Sequence, residues 1–192
     1  MQDKLLTILI LSSNRLDLLR ATINSLTETM TYPHWEMIVY NHDGTIGEGW
    51  NELIKKINGD YVLSCQDDWY FIEKWNWVEK AIDILNREKE VGIVRLRKDS
   101  DGQHPTKEIR KIGDGSIVEC VAGGFTMNPF IAKAELFKDL GNADERKIKG
   151  IAEISLREKY REKKYLTAKL NNPAKGVTIH IGRGRRVFGE ET

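Results

Sequence analysis

A mostly parallel β-sheet with α-helices on both faces is the fold class this chain predicts, and three observations carry the prediction. Strand-like apolar runs alternate with helical apolar stripes through the first half. The first of these runs is almost wholly apolar, as a strand covered on both faces must be. Turn-forming polar and acidic residues directly follow the first three runs.

Leu5–Leu11 reads as the opening strand, and Leu16, Leu19, Ile23 and Leu26 then recur at helical spacing. Pro33 interrupts before a second strand, Glu36–Tyr40. Gly47 and Gly49 mark a turn, after which Trp50, Leu53, Ile54 and Ile57 stripe a second helix closed by Asn58-Gly59. Tyr61–Cys65 is the third strand. Trp75, Val78, Ile82 and Leu85 line a third helix, and Val91–Leu96 supplies a fourth strand. Beyond Lys98 the texture changes. Lys98–Gly115 is polar and reads as a loop or irregular hairpin, and Ser116–Phe130 is β-rich. A helix over about Ile148–Lys164 and a short strand at Val177–Ile181 follow.

The 192 residues suit one domain, 1–192, with a sizeable core. A net charge of +1 argues against a general nucleic-acid surface, although Gly182–Arg186 is locally basic. Cys65 and Cys120 lack CxxC spacing and sit in apolar runs, which predicts reduced core cysteines and no zinc site. The N-terminal apolar run is too short for a transmembrane segment and lacks a secretory cleavage pattern, so a cytoplasmic protein is expected.

Chemistry concentrates in Tyr61–Phe71, where the third strand stops at the adjacent acids Asp67 and Asp68. Paired carboxylates beside an apolar interior repel each other and are costly to desolvate. Two readings are open: a hard divalent cation is held there, or the strand ends in solvent and Asp68 caps the next helix. In parallel sheets ligands bind beyond the carboxyl ends of the strands, where strand order reverses. Ser12-Ser13-Asn14-Arg15, Asn41-His42-Asp43-Gly44 and Asp67-Asp68 should therefore gather along one edge.

Three stretches resemble the family-two glycosyltransferases, whose fold is the Rossmann-like GT-A fold. TILILSSNRLDLLRATINSL is similar to their first strand and helix. IVYNHDGTIGEGWNELIKKINGDYVLSCQDDW resembles their second strand, acid-Gly-Ser/Thr turn, Asn-bearing helix and acidic metal motif. GIAEISLREKY and VTIHIGRGRR resemble the acceptor-side helix and a late histidine segment. The resemblance implies a nucleotide-binding half over 1–97 and an acceptor-side half over 98–192 with a basic C-terminal loop. It further implies metal-dependent, inverting transfer of a sugar from a nucleotide-diphosphate donor to an acceptor hydroxyl, with Mn²⁺ or Mg²⁺ as cofactor.

Residue by residue, the resemblance assigns Asp68 to the metal and Asp67 to the ribose or, through water, to the metal. Gln66 stands where the first acid is common and would hydrogen-bond ribose. Asn41, His42 and Asp43 fall on the base-contacting turn, where His42 replaces an acid. Ser13, Asn14 and Arg15 match the loop beside the nucleotide, and Asn51 a helix residue facing it. His180 matches a third metal ligand, and Arg183, Arg185 and Arg186 are candidates for phosphate. Gly123 and Gly124 back the donor sugar. Glu153 is the candidate base, with Ala152 where the pair's first acid is usual. Trp69 is the acceptor-side aromatic, and the helical spacing of Trp75 favours the core. A silent nucleotide-sugar-binding module is the alternative that Gln66, His42 and Ala152 leave open. A nucleotidyltransferase of the same fold is disfavoured because SSNRLD is not a glycine-rich basic loop.

Overall fold

The computed structural model describes residues 4–97, 108–111, 117–122, 124–170 and 177–182, with the backbone alone at 108–111 and 117–122. The strands are β1 (Leu6–Ser12), β2 (Trp35–Asn41), β3 (Tyr61–Gln66), β4 (Trp69–Phe71), β5 (Val91–Arg95), β6 (Glu108–Lys111), β7 (Ile117–Ala122), β8 (Phe130–Lys133), β9 (Leu166–Lys169) and β10 (Thr178–His180). The helices are α1 (Leu16–Thr29), α2 (Ile46–Ile54), α3 (Trp77–Arg87), α4 (Ala134–Leu140) and α5 (Ile151–Glu162).

Eight strands form one sheet in the order β2-β1-β3-β8-β5-β9-β7-β6, and β4 pairs with β10 in a separate antiparallel ribbon. Within the large sheet β8 and β7 run against the other six strands. The chain steps from β1 outward to β2 and then back across β1 to β3. Strand order therefore reverses at β1, and a crevice opens beyond the carboxyl ends of β1 and β3.

Burial on both faces follows from the apolar runs. Along β1, Leu6, Ile8 and Ile10 enter one cluster with Leu26 of α1 and Trp77, Val78 and Ala81 of α3. The alternate residues, Leu9 and Leu11, enter the other cluster with Trp50 of α2, Phe137 of α4 and Tyr160 of α5. The period of two sends successive side chains to opposite layers, and helices close both.

Several expectations shift by a turn or less. In α1, Leu16 is 68% exposed, while Leu18 and the hydroxyl residues Thr22 and Ser25 are buried. The helix packs against the β4 backbone, where Phe71 N–H donates to Ser25 Oγ at 3.1 Å. Gly47 and Gly49 lie inside α2 and form no turn, because Thr45 with Glu48 builds a capping box ahead of them. A Cβ at Gly47 would collide with the Asp144 carbonyl, so the glycine serves close packing of α2 on the segment before α5. The helix ends at Ile54, so Ile57 lies beyond it. Asn58 and Gly59 instead donate their N–H groups to Thr7 Oγ1. In α3, Val78 and Leu85 of the expected stripe are buried together with Trp77, Ala81 and Ile84, whereas Ile82, and Trp75 ahead of the helix, are half-buried.

β4, α4 and β9 are not expected from the sequence, and β8 is expected only as far as Phe130; each is short. Cys65 is a buried free thiol. The Cys120 side chain lies outside the described residues, as do 98–107 and 112–116 of the polar stretch.

Trp77 is fully buried and stacks on Phe71 at 5.7 Å between ring centroids. Trp77→Ala should lower unfolding stability by about 3–5 kcal/mol in urea denaturation, through lost transfer energy and a cavity.

Candidate functional site

The crevice at the ends of β1 and β3 is built around two fully buried carboxylates. The first, Asp67, follows β3 directly and its N–H still donates to Leu11 O at 3.1 Å, which extends the parallel ladder. Its Oδ2 accepts from Ser12 Oγ and Ser13 N–H, each at 3.0 Å. The other oxygen, Oδ1, takes the Arg15 guanidinium through Nη2. Thr22 Oγ1 donates to Asp67 O at 2.8 Å and receives Trp69 N–H at 3.3 Å. Asp67 therefore ties the β1 loop, α1 and β4 together. Both of its oxygens are thus engaged within the protein.

Asp68 is different. Arg15 Nη1 lies 3.0 Å and His180 Nε2 3.2 Å from its Oδ2. Neither carboxylate oxygen has a hydrogen-bond partner among the described residues, and neither has Arg15 Nη1. Unbonded buried oxygens of this kind are rare and call for a ligand or an ion. Ile181 N–H donates to Asp68 O at 2.9 Å, and Gly182 sits so close that a Cβ there would lie 2.5 Å from Asp68 Oδ2. His180 is fixed by the β4–β10 ribbon, in which it pairs with Trp69, and its ring lies 5.0 Å from that indole.

Burial pulls the Arg15 guanidinium down, but the hydrogen bond to Asp67 and the charges of Asp68 and Asp67 outweigh it, leaving it raised. Burial, followed by the charges of Asp68 and Asp67, pushes the Cys65 thiol up and out of the reactive range.

One carboxylate and one imidazole suit Mn²⁺ or Mg²⁺ when phosphate and water complete the shell. Among the described residues no group of three His, Cys, Asp or Glu could hold a metal ion alone. The residues present thus fit a cation shared with a diphosphate, and they do not form a free-standing metal centre.

The second rim of the crevice comes from α5. Phe130 of β8 pairs with Ser64 of β3, which puts the segment just before β8 at the same edge as Asp67 and Asp68. Glu153 joins this edge, because Met127 N–H donates to its Oε2 at 3.0 Å. Its Oε1 pairs with Arg157, which also donates to Phe125 O at 3.2 Å. Gly124 is buried in this segment, and Gln66 is half-buried at the end of β3.

Other expected contacts are spent elsewhere. Asn51 is buried and holds Ala143 by both its N–H (2.7 Å) and its C=O (3.0 Å), and Glu145 at 2.7 Å. This corrects its assignment to the nucleotide. Asn14 and Asn41 bond each other reciprocally, and Asn14 also donates to Asp43, so the β1 and β2 loops are laced together. His42 stacks on Tyr40 and lies 3.4 Å from Glu48. The Thr45 N–H, and then His42, hold the Glu48 carboxyl below its usual range. Trp69 is 1% exposed and covered by Arg97 at 5.4 Å, which corrects its assignment as an open acceptor platform. Gly123, Arg183, Arg185 and Arg186 lie outside the described residues.

Thr22 and Arg157 are contributors the sequence does not single out. Arg157 is legible in principle, since it stands four residues after Glu153 on one helix face. Thr22 gives no signal, because a threonine in a helix is common.

With this geometry in place the fold can be assigned: the chain has the GT-A fold, the α/β architecture of nucleotide-sugar glycosyltransferases. It resembles S. aureus TarS 1–349 at a TM-score of 0.63 and 16% identity, over 88% of this chain and 59% of that one. The same protein in complex with UDP gives a TM-score of 0.64. The mannosyltransferase PcManGT from Pyrobaculum calidifontis, in complex with GDP-Man and Mn²⁺, gives 0.59 at 13% identity, over 91% of this chain and 59% of that one. The chain thus spans less than two thirds of these proteins. No protein-family profile and no curated protein matches it. No helix among the described residues is long and apolar enough to cross a membrane.

Asn51→Ala would strip Ala143 of both partners and should lower stability by about 1–3 kcal/mol in thermal or urea unfolding. A circular-dichroism spectrum unchanged below the transition would show that only the α2 contact is lost.

Proposed function

We propose that the protein is a glycosyltransferase that takes a sugar from a nucleoside-diphosphate donor and passes it to an acceptor hydroxyl with inversion. The observation that carries this reading is Asp68: a buried carboxylate whose oxygens have no hydrogen-bond partner among the described residues, flanked by Arg15 and His180, where strand order reverses. UDP in complex with TarS, and GDP-Man with Mn²⁺ in complex with PcManGT, support the donor class.

In this reading Asp68 and His180 hold a divalent cation, which when bound supplies a Lewis acid for the charge growing on the leaving diphosphate. Arg15 adds a fixed positive charge beside the same oxygens. Ser13 Oγ, buried and without a hydrogen-bond partner among the described residues, is a further donor for phosphate. Asp67 orients Arg15 and leaves the ligand to its neighbour.

On the opposite rim Glu153 removes the proton of the acceptor hydroxyl as its oxygen attacks the anomeric carbon. The bond from that carbon to the diphosphate breaks, and the electron pair leaves with the nucleotide. Arg157 and Met127 N–H hold the carboxylate in place. The same contacts favour a second reading, a binding-only module, because they occupy both oxygens of Glu153. Turnover separates the two.

A thermal-shift screen of UDP- and GDP-sugars should show stabilisation that depends on Mn²⁺ or Mg²⁺ and is lost in Asp68→Asn. No stabilisation by any nucleotide sugar would refute the proposal. Glu153→Gln should keep donor binding and lower kcat by about 10²–10⁴-fold; unchanged turnover would remove Glu153 from the base role.

A further inference from the structure

Arg15 is held unequally by its two acids. Toward Asp67 it makes a bonded contact through Nη2, with Nε 3.4 Å from Oδ2. Toward Asp68 it makes an ion pair, Nη1 to Oδ2 at 3.0 Å, whose two atoms fall outside hydrogen-bond geometry among the described residues. The arginine side chain is 10% exposed and both carboxylates are sealed. One guanidinium therefore spans two buried anions, anchored on the first and resting against the second.

We propose that Arg15 is an exchangeable counter-ion for Asp68, an inference that rests on the glycosyl-transfer reading. Without donor the guanidinium occupies Asp68. When a nucleoside diphosphate arrives, one of its phosphate oxygens takes Nη1, and Asp68 turns to the divalent cation that the diphosphate brings. Cation and nucleotide enter as one unit, and neither the cation nor Arg15 is left without a counter-charge.

Two physical costs enforce the coupling. A cation arriving alone would push Nη1 off Asp68 and leave a guanidinium end buried beside a second positive charge. It would also find only Asp68 and His180 as protein ligands, since no third carboxylate, imidazole or thiolate of the described residues joins them. A diphosphate removes both costs, because phosphate oxygens complete the metal shell and accept from Nη1 in charge-assisted geometry. By linkage, the cation then raises nucleotide affinity by the same factor that the nucleotide raises cation affinity. Arg15 keeps its hold on Asp67 throughout, so the loop after β1 does not have to move.

The test is calorimetric titration of the full chain with manganese chloride alone, with UDP or GDP alone, and with each nucleotide plus manganese. The wild type should bind Mn²⁺ at least about tenfold more tightly when UDP or GDP is present. Arg15→Met should gain about tenfold in affinity for Mn²⁺ alone and lose most of that coupling. Because Arg15→Met leaves two buried carboxylates facing each other, the double variant Arg15→Met/Asp67→Asn, which removes one charge of each sign, is measured beside it. Circular dichroism checks that it folds. Equal Mn²⁺ affinity with and without nucleotide in the wild type would overturn the inference and leave the transfer reading standing. So would a folded double variant that binds Mn²⁺ alone no better than the wild type. A wild type that binds neither nucleotide with manganese would overturn both.

Discussion

Two carboxylates placed side by side in an apolar interior repel each other and lose their water, and here the Arg15 guanidinium lies against both. The pairing is costly in isolation, since each ion loses its water. It is tolerable because Ser12, Ser13 and the guanidinium together saturate Asp67. That saturation fixes the loop after β1 against the end of β3, and Thr22 carries the same constraint into α1 and the first residue of β4. The polar knot thus sets the shape of the crevice, while Asp68 is the member whose hydrogen-bonding capacity is left over.

The apolar architecture places the two rims. Face-alternating residues of β1 and β3 seat α1 and α3 on one side and α2, α4 and α5 on the other. The reversed strand β8 lies between β3 and β5 and brings the segment that precedes it to the carboxyl edge. Glu153 of α5 is held by that segment through Met127 N–H. The segment before β8 reaches the edge that carries the acid pair because β8 runs antiparallel between β3 and β5.

How much of this was legible in the sequence depends on the length of the signal. The alternation of β1, β2, β3 and β5 with α1 to α3 was readable because each of these elements has its own apolar period, and with it the edge where the three loops gather. The position of Asp68 followed from the end of a clear strand. The roles of Asn51, Asp67 and Trp69 were not readable, because each looked like a ligand contact and each is consumed by a partner distant in the chain. For Asn51 that partner is Ala143, and for Asp67 it is the pair Ser12 and Arg15. A helix-borne amide or an aromatic after two acids carries no mark of what the fold will set against it. The short elements β4, α4 and β9 were invisible for a related reason: they are stabilised by tertiary pairing, and propensity contributes little.

The two-stranded ribbon has an implication for the order of folding. Residues 69–71 leave the ribosome early, but their only strand partner among the described residues is 178–180, so they wait unpaired while most of the chain is made. Contacts between such distant segments are slow to form, because closing the intervening loop is entropically expensive. The sheet can therefore assemble before His180 arrives, and the corner around Asp68 is completed in the last act of folding. Nascent chains would carry the scaffold before that corner is closed.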